Sequence, residues 1–362
     1  MGIGGTEQVI RQLVTGLPAD RFQNQILCID GHIGEIGRQI QKEGKEVFGI
    51  ARGKGFDLSL VKKIRQKIQE KDIDIVHCHQ YTPWVYGWLA ARGTKARVIF
   101  TEHGRFHPDR YRYKAMLINP LIAMMTSSVV AISEATRSAL AKYEFIPKQK
   151  IRVIYNGIRG LEVRPDEVHA LRESLGVTDT ELLLGTVARL DPVKNQALML
   201  TALAQILPEY PSARLLLVGD GPDRDNLEQL AGKLAIADRT IFTGFREEPA
   251  SYLAAMDLFL LSSHTEGTSM TLLEAMSLGI TAVATRVGGN PEIVVDEKTG
   301  ILTEPGSVQS FAAAIERLLD DVELRKHMSE KSKDVFSRKF SVEKMVDSYV
   351  SLYDAACWSL PT

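Results

Sequence analysis

A chain of 362 residues exceeds what one ordinary core encloses, so two domains are expected. Hydrophobic residues at 44% and charged residues at 25% describe a globular protein. Lys plus Arg at 44 against Asp plus Glu at 45 leaves a net charge of -1, without the basic excess that marks a nucleic-acid binder.

Cys28, Cys78 and Cys357 form no CxxC pair and read as reduced thiols in a reducing, cytoplasmic compartment, with no zinc site. The longest apolar stretch, Ile118 to Ile132, is broken by Asn119, Pro120, Thr126, Ser127 and Ser128, and is too polar to span a bilayer. The start of the chain shows no basic segment leading into an apolar run, so no signal peptide is expected.

In chain order, helical and strand patterns alternate, which predicts an α/β protein with parallel sheets. Val9, Ile10, Leu13, Val14 and Leu17 make one face of a first helix. Strands are expected at Gln25 to Asp30, Ile73 to His77, Val98 to Thr101, Val129 to Ile132 and Val153 to Tyr155. A polar, weakly patterned stretch, 159–180, reads as the interdomain linker. The pattern restarts at Leu182 to Val187, Leu215 to Val218, Ile241 to Thr243, Leu258 to Leu261 and Thr281 to Ala284, and helices close the chain after Ser307. The domains expected are therefore 1–158 and 181–340, with 341–362 as a final helix. The glycine turn Gly2-Ile3-Gly4-Gly5 opens directly into the first helix, where a Rossmann-type unit has a strand ahead of its turn. The first strand of the N-terminal domain is expected to be missing, through an upstream start or a loss.

The strongest constellation is Glu266-Gly267-Thr268-Ser269 ahead of a helix that carries Glu274. Thr268 or Ser269 can cap that helix, and the free N–H groups of its first turn suit a diphosphate. Carboxylates on either side of a diphosphate would bind sugar and ribose hydroxyls; a capped helix with a solvated glutamate accounts for the same residues. The second constellation is the loop Arg189 to Asn195, where Arg189 and Lys194 sit at strand C-terminal ends and can neutralise a departing nucleoside diphosphate in place of a metal. Solvated cations are the alternative, although a positive charge at a helix start opposes the helix dipole.

Glycine turns recur at Gly219-Asp220-Gly221-Pro222 and Gly288-Gly289-Asn290-Pro291-Glu292. Tight-turn geometry is the reading for Gly219 and Gly221. No GxGxxG is present, which counts against a dinucleotide dehydrogenase. His103 closes a strand and can bond a sugar hydroxyl or move a proton, or serve as a satisfied core histidine. His77 and His79 lack a carboxylate or thiolate set beside them and read as structural or acceptor-side groups rather than a metal pair. The basic and aromatic run Arg105, Phe106, Arg110, Tyr111, Arg112, Tyr113 and Lys114, followed by Met116, Leu117 and Ile118, fits either an anionic membrane surface or a helix with its apolar side in the core.

Taken together, these motifs resemble glycosyltransferase family 4, the retaining GT-B enzymes, and within it the sugar transferases of exopolysaccharide and exosortase systems. The resemblance runs from Gly2-Ile3-Gly4-Gly5 through Glu102-His103-Gly104, Tyr155-Asn156-Gly157, Arg189 and Lys194, Phe242-Thr243-Gly244-Phe245 and Glu266 to Glu274, ending at Gly288-Gly289-Asn290-Pro291-Glu292.

It implies two Rossmann-like domains facing across a cleft, and transfer of a hexose-type sugar from a UDP- or GDP-sugar to a glycan or lipid-linked acceptor. No metal or other cofactor is implied. Arg189 and Lys194 would hold the diphosphate, and Glu266 the donor sugar. Gly267, Thr268 and Ser269 would lie near phosphate and Glu274 on the ribose, with Gly244, Phe245 and Arg246 near the base. Gly4, Gly5 and His103 would reach in from the first domain. The resemblance places the chain in the cytoplasm, with peripheral contact at the inner face of the membrane and no nucleic-acid partner. Two alternatives stand beside it: a GT-B nucleotide-sugar epimerase, and a non-catalytic subunit that binds nucleotide sugar or glycan.

Overall fold

The computed structural model describes residues 4–104, 111 and 113–358, with the backbone alone at 114 and 358. The chain forms two compact units: residues to Arg159 together with Phe340 onward, and Gly160–Lys339.

The first unit contains β1 (Gln25–Cys28), β2 (Glu46–Gly49), β3 (Ile75–His79), β4 (Arg97–Glu102), β5 (Ser128–Ala131) and β6 (Ile151–Val153). All its ladders are parallel, but they fall into two sheets, β1-β2 and β3-β4-β5-β6. Among the described residues no strand precedes the helix Gly5–Gly16. The runs Val98-Ile99-Phe100 and Val129-Val130-Ala131 are fully buried, as expected for parallel strands covered on both faces. β1 alternates between buried and half-buried, and β3 has one fully buried residue, Cys78; among the described residues β1 pairs only with β2 and β3 only with β4. Trp84, wholly buried, stacks on Phe100 with centroids 4.3 Å apart and donates its indole N–H to Thr126 Oγ1 at 2.9 Å.

The C-terminal helix Val342–Trp358 belongs to this first unit. Tyr349, Leu352 and Tyr353 on it are buried, and Asp354 pairs with Arg21 at 2.7 Å. It enters through a backbone exchange: the N–H of Ile158 donates to the Phe340 carbonyl, and that of Val342 to the Ile158 carbonyl.

The second unit holds β7 (Leu182–Val187), β8 (Ala213–Val218), β9 (Thr240–Gly244), β10 (Leu258–Leu261), β11 (Ala282–Thr285) and β12 (Gly300–Thr303). They form one parallel sheet in the order β12-β11-β10-β7-β8-β9. The order reverses between β7 and β10, so loops leaving their C-terminal ends diverge there and leave the crevice where open α/β sheets bind ligands.

Of the stretch 159–180, expected as a linker, the part from Gly160 onward belongs to this unit. Its helix Pro165–Ser174 starts with proline at the first position, and Arg172 ties it to the Ala255 carbonyl at 2.8 Å and to Asp257 at 3.3 Å. β2 and β12 were not expected from the sequence. Each is four residues long, and β2 buries only Val47.

Candidate functional site

The loops after β7 and β10 carry the two main constellations, and the structure joins them. The Lys194 Nζ lies 2.6 Å from Glu266 Oε1, in a pair whose glutamate side chain is only 7% exposed. Ser263 Oγ donates to the same carboxylate oxygen at 2.6 Å. Beneath the pair, Ser262 donates to the carbonyls of Lys194 and Asn195, and the His264 N–H donates to the Val193 carbonyl. The β7 and β10 loops are thus laced together by backbone as well as by charge.

Asp191 builds the β7 loop. It is buried, and its Oδ1 accepts from the N–H groups of Val193 and Lys194 at 3.0 and 3.1 Å, while its Oδ2 takes the Arg189 Nε at 2.6 Å. The sequence reading passed over this residue, although Asp191-Pro192 is a turn-forming pair whose carboxylate can close on the backbone two residues on. Gln196 donates from its side chain to the Arg189 carbonyl, and Asn195 takes the left-handed conformation, φ 51°, ahead of helix Gln196–Ile206. The Arg189 side chain is 70% exposed, so it is held at one nitrogen edge and open at the rest.

Gly219 and Gly221 do more than turn the chain. A Cβ on Gly219 would meet the Ala188 carbonyl oxygen at 2.0 Å, and one on Gly221 the Leu190 oxygen at 2.2 Å. Their bare backbones let the β8 loop lie directly on the loop that carries Arg189. The Gly219 N–H donates to the Gly244 carbonyl, which places Gly244, with φ 72°, beside the same edge of the sheet. Phe245 follows, 60% exposed, and the Arg246 guanidinium lies 5.5 Å from the Tyr252 ring.

Ser269, rather than Thr268, caps helix Met270–Leu278, its Oγ accepting from the Leu272 N–H at 3.3 Å. The backbone N–H groups of Met270 and Thr271 belong to the first turn, where a helix supplies no partners of its own. Glu274 stands one turn on. Its carboxyl has no hydrogen bond or ion pair among the described residues, and burial pushes its pKa up to about 7. Gly288, at φ 50°, backs onto Glu266: a Cβ there would come within 1.7 Å of the Glu266 carbonyl oxygen, and the Gly289 N–H donates to that oxygen. The glycine turn after β11 is therefore the seat of Glu266.

The remaining candidates lie in the first unit. Gly4 is the N-cap of helix Gly5–Gly16, in extended conformation. His103, at the end of β4, meets His79 on β3, Nε2 to Nδ1 at 2.8 Å, while its own Nδ1 is buried without a hydrogen-bond partner among the described residues. His77 bridges Tyr353 Oη at 2.7 Å and Thr101 Oγ1 at 2.8 Å. Burial holds His77 down to about 3, His103 to about 4 and His79 well below the usual imidazole value, so all three are neutral. Two neutral rings in contact share one proton, so the His79 tautomer decides whether His103 Nδ1 is a donor or an acceptor. Tyr353 and Thr101 occupy both ring nitrogens of His77, and His103 occupies Nδ1 of His79. Arg105, Phe106, Arg110 and Arg112, named with the aromatic run, lie outside the described residues.

Comparison with known proteins follows the same division of the chain. Residues 3–159 match the sequence profile of Glycosyltransferase Family 4, and residues 167–335 that of Glycosyl transferases group 1. The putative glycosyltransferase EpsD of Bacillus subtilis is 30% identical over 341 residues, covering 89% of each chain. The N-acetyl-alpha-D-glucosaminyl L-malate synthase of Bacillus anthracis is 29% identical over 351 residues, covering 88% of this chain and 91% of its own. Among solved structures, Anabaena HepE in complex with UDP superposes with a TM-score of 0.87 at 24% identity, covering 97% of this chain and 96% of that one. With GT-B relatives in structure and both halves accounted for in sequence, the chain belongs to glycosyltransferase family 4 and is a GT-B glycosyltransferase.

Proposed function

We propose that the protein transfers a hexose-type sugar, with retention of anomeric configuration, from a nucleoside diphosphate sugar to a glycan or lipid-linked acceptor in cell-surface or exopolysaccharide synthesis in the cytoplasm. The observation that carries this reading is the Lys194–Glu266 pair at 2.6 Å, set where the strand order reverses and followed one helical turn on by the unpaired carboxyl of Glu274. The UDP held by HepE supports a uridine diphosphate donor.

In this reading Lys194 and the open edge of Arg189 take the diphosphate, together with the backbone from Gly267 through Thr268 to Ser269 at the helix start. Glu266 accepts from sugar hydroxyls and Glu274 from the ribose, while Gly244, Phe245 and Arg246 border the base. In the first unit, Gly4, Gly5 and His103 are assigned to the transferred sugar. The acceptor hydroxyl attacks the anomeric carbon as its bond to the phosphate oxygen breaks, and the departing phosphate takes the hydroxyl proton. Negative charge grows on the diphosphate during that step, so fixed cations there stabilise the transition state more than the ground state. In this reading no metal is needed for this neutralisation, and chelator is expected to leave the rate unchanged.

The test is transfer from UDP-sugars by Lys194→Ala and Glu274→Ala, with folding checked by circular dichroism. Each is expected to lose on the order of 100-fold or more in turnover. Wild-type rates in either variant would sink the assignment. A product analysis that finds an altered free nucleotide sugar and no glycoside would favour epimerisation, and tight UDP-sugar binding without turnover a binding subunit.

A further inference from the structure

The two cations of the second unit's site are tethered in different ways. Arg189 gives its Nε and one terminal nitrogen to Asp191 Oδ2, at 2.6 and 2.5 Å, and keeps the rest of its exposed side chain open. A guanidinium has several donors in a fixed fork, so it can take a diphosphate without releasing Asp191. Lys194 carries its charge at a single atom, and that atom is engaged. Its Nζ lies 2.6 Å from Glu266 Oε1, with the lysine side chain 26% and the glutamate side chain 7% exposed. Among the described residues Nζ makes no other hydrogen bond.

The glutamate end of the pair is fixed. Oε1 accepts from both Lys194 and Ser263, and Ser263 is wholly buried, its carbonyl taken by Thr285 Oγ1 at 2.7 Å. The Gly288 turn presses on the Glu266 backbone from the other side. Oε2 accepts nothing among the described residues. The partner able to move is therefore Lys194, on its flexible stem.

A diphosphate that drew Lys194 away would leave a nearly buried carboxylate without its counter-charge. One that shared the ammonium would lie close to that carboxylate and be repelled by it. Either way a bare nucleoside diphosphate is disfavoured. A donor that also brings sugar hydroxyls offsets the loss, because its O–H groups donate to Glu266 as the ammonium leaves.

We propose that the Lys194–Glu266 pair is an exchange contact, which makes the site prefer an intact sugar donor to the nucleoside diphosphate left after transfer. The inference rests on the donor reading given above and adds product release to it. Once the sugar has gone, Glu266 loses its hydroxyl partners, reclaims Lys194 and loosens the diphosphate. Selectivity of this kind is a difference between two affinities, set by what is left unpaired in the weaker complex.

The test is titration calorimetry of UDP and of UDP-glucose on the full chain, with unliganded melts to check folding. Glu266→Gln keeps the shape of the side chain and removes its charge. It is expected to bind UDP about tenfold more tightly than wild type, with no such gain for UDP-glucose. In a Lys194→Met background the same substitution is expected to gain less than about threefold, since no pair remains to be broken. Unchanged or weaker UDP binding by Glu266→Gln overturns the proposal. So does an equal gain for UDP-glucose, because sugar hydroxyls would then not replace the ammonium. A gain as large without Lys194 as with it would reduce the effect to repulsion and also overturn the exchange. A wild type that binds no UDP sinks the donor reading and this inference with it, whereas a wild type that binds UDP no more weakly than Glu266→Gln overturns the inference alone.

Discussion

At the scale of single residues, the site depends on two positions whose importance is opposite in kind: one without a side chain, one with an unpaired carboxyl. Gly288 combines a positive φ with a Cβ path blocked by the Glu266 carbonyl at 1.7 Å. Gly288→Ala is therefore expected to cost about 2 kcal/mol or more and to push Glu266 off Lys194. Gly306, also at positive φ but with nothing within 4 Å, is the control, with Gly306→Ala costing only the backbone share of about 1 kcal/mol. Urea denaturation of both variants, read beside UDP binding, checks this; equal losses would show that the blocked Cβ is irrelevant.

Glu274 makes a pH prediction of definite sign. Its folded pKa of about 7 exceeds its ordinary 4.5, so between those values the folded protein binds more protons than the unfolded chain. Stability is then lost as pH rises through that window. Glu274→Gln removes the effect, so its melting temperature should gain on wild type as pH is raised from about 5 to about 8. The depressed histidines act in the other direction, their contribution fading as pH falls, but they are common to both proteins and cancel in the comparison. A constant gap between the two melting curves would contradict the reading of Glu274.

At the scale of elements, the legible features were those that carry their own physics. Leu182 to Val187 and Leu258 to Leu261 are apolar runs with helices behind them, and they form β7 and β10. Arg189, Lys194, Glu266 and Glu274 could be picked out because charged side chains at strand ends and helix starts need a reason to be there. What sequence could not give was the lacing between loops. Ser262 reaches the carbonyls of Lys194 and Asn195 only after the chain has folded, and nothing local marks it as different from other serines. β2 escaped because four residues with one buried side chain set up no alternation to detect. The helix Ile118–Met124 was ambiguous for a physical reason: an apolar stripe in a sequence does not say whether it faces in or out, and Asn119 bonded to Glu144 fixes which side is in.

At the scale of the whole molecule, each unit has its own core, but only the second is continuous in sequence. The first borrows Phe340, Met345, Tyr349, Leu352 and Tyr353 from the last stretch of the chain, all of them buried. Tyr353 and Tyr349 also close the hydrogen bonds of His77 and Thr101. Ending the chain at Lys339 should therefore leave the second unit folded while depriving the first of its closing helix. Calorimetry is expected to show the UDP-responsive transition retained and the other lost. A truncated protein that keeps both transitions would show that the helix is dispensable.

The division of the first unit into a pair and a quartet of strands has a cost in company. Among the described residues, β1 ladders only with β2, and β3 only with β4, so each presents a row of amide and carbonyl groups on its other side. Such rows are templates that any extended segment can extend, and proteins usually blunt them with charge or irregularity. Here the rows belong to Gln25-Ile26-Leu27-Cys28 and Ile75-Val76-His77-Cys78-His79, buried or half-buried segments without a lysine, an acid or a proline to discourage a newcomer. Crowding should thus favour strand exchange between molecules at these two edges.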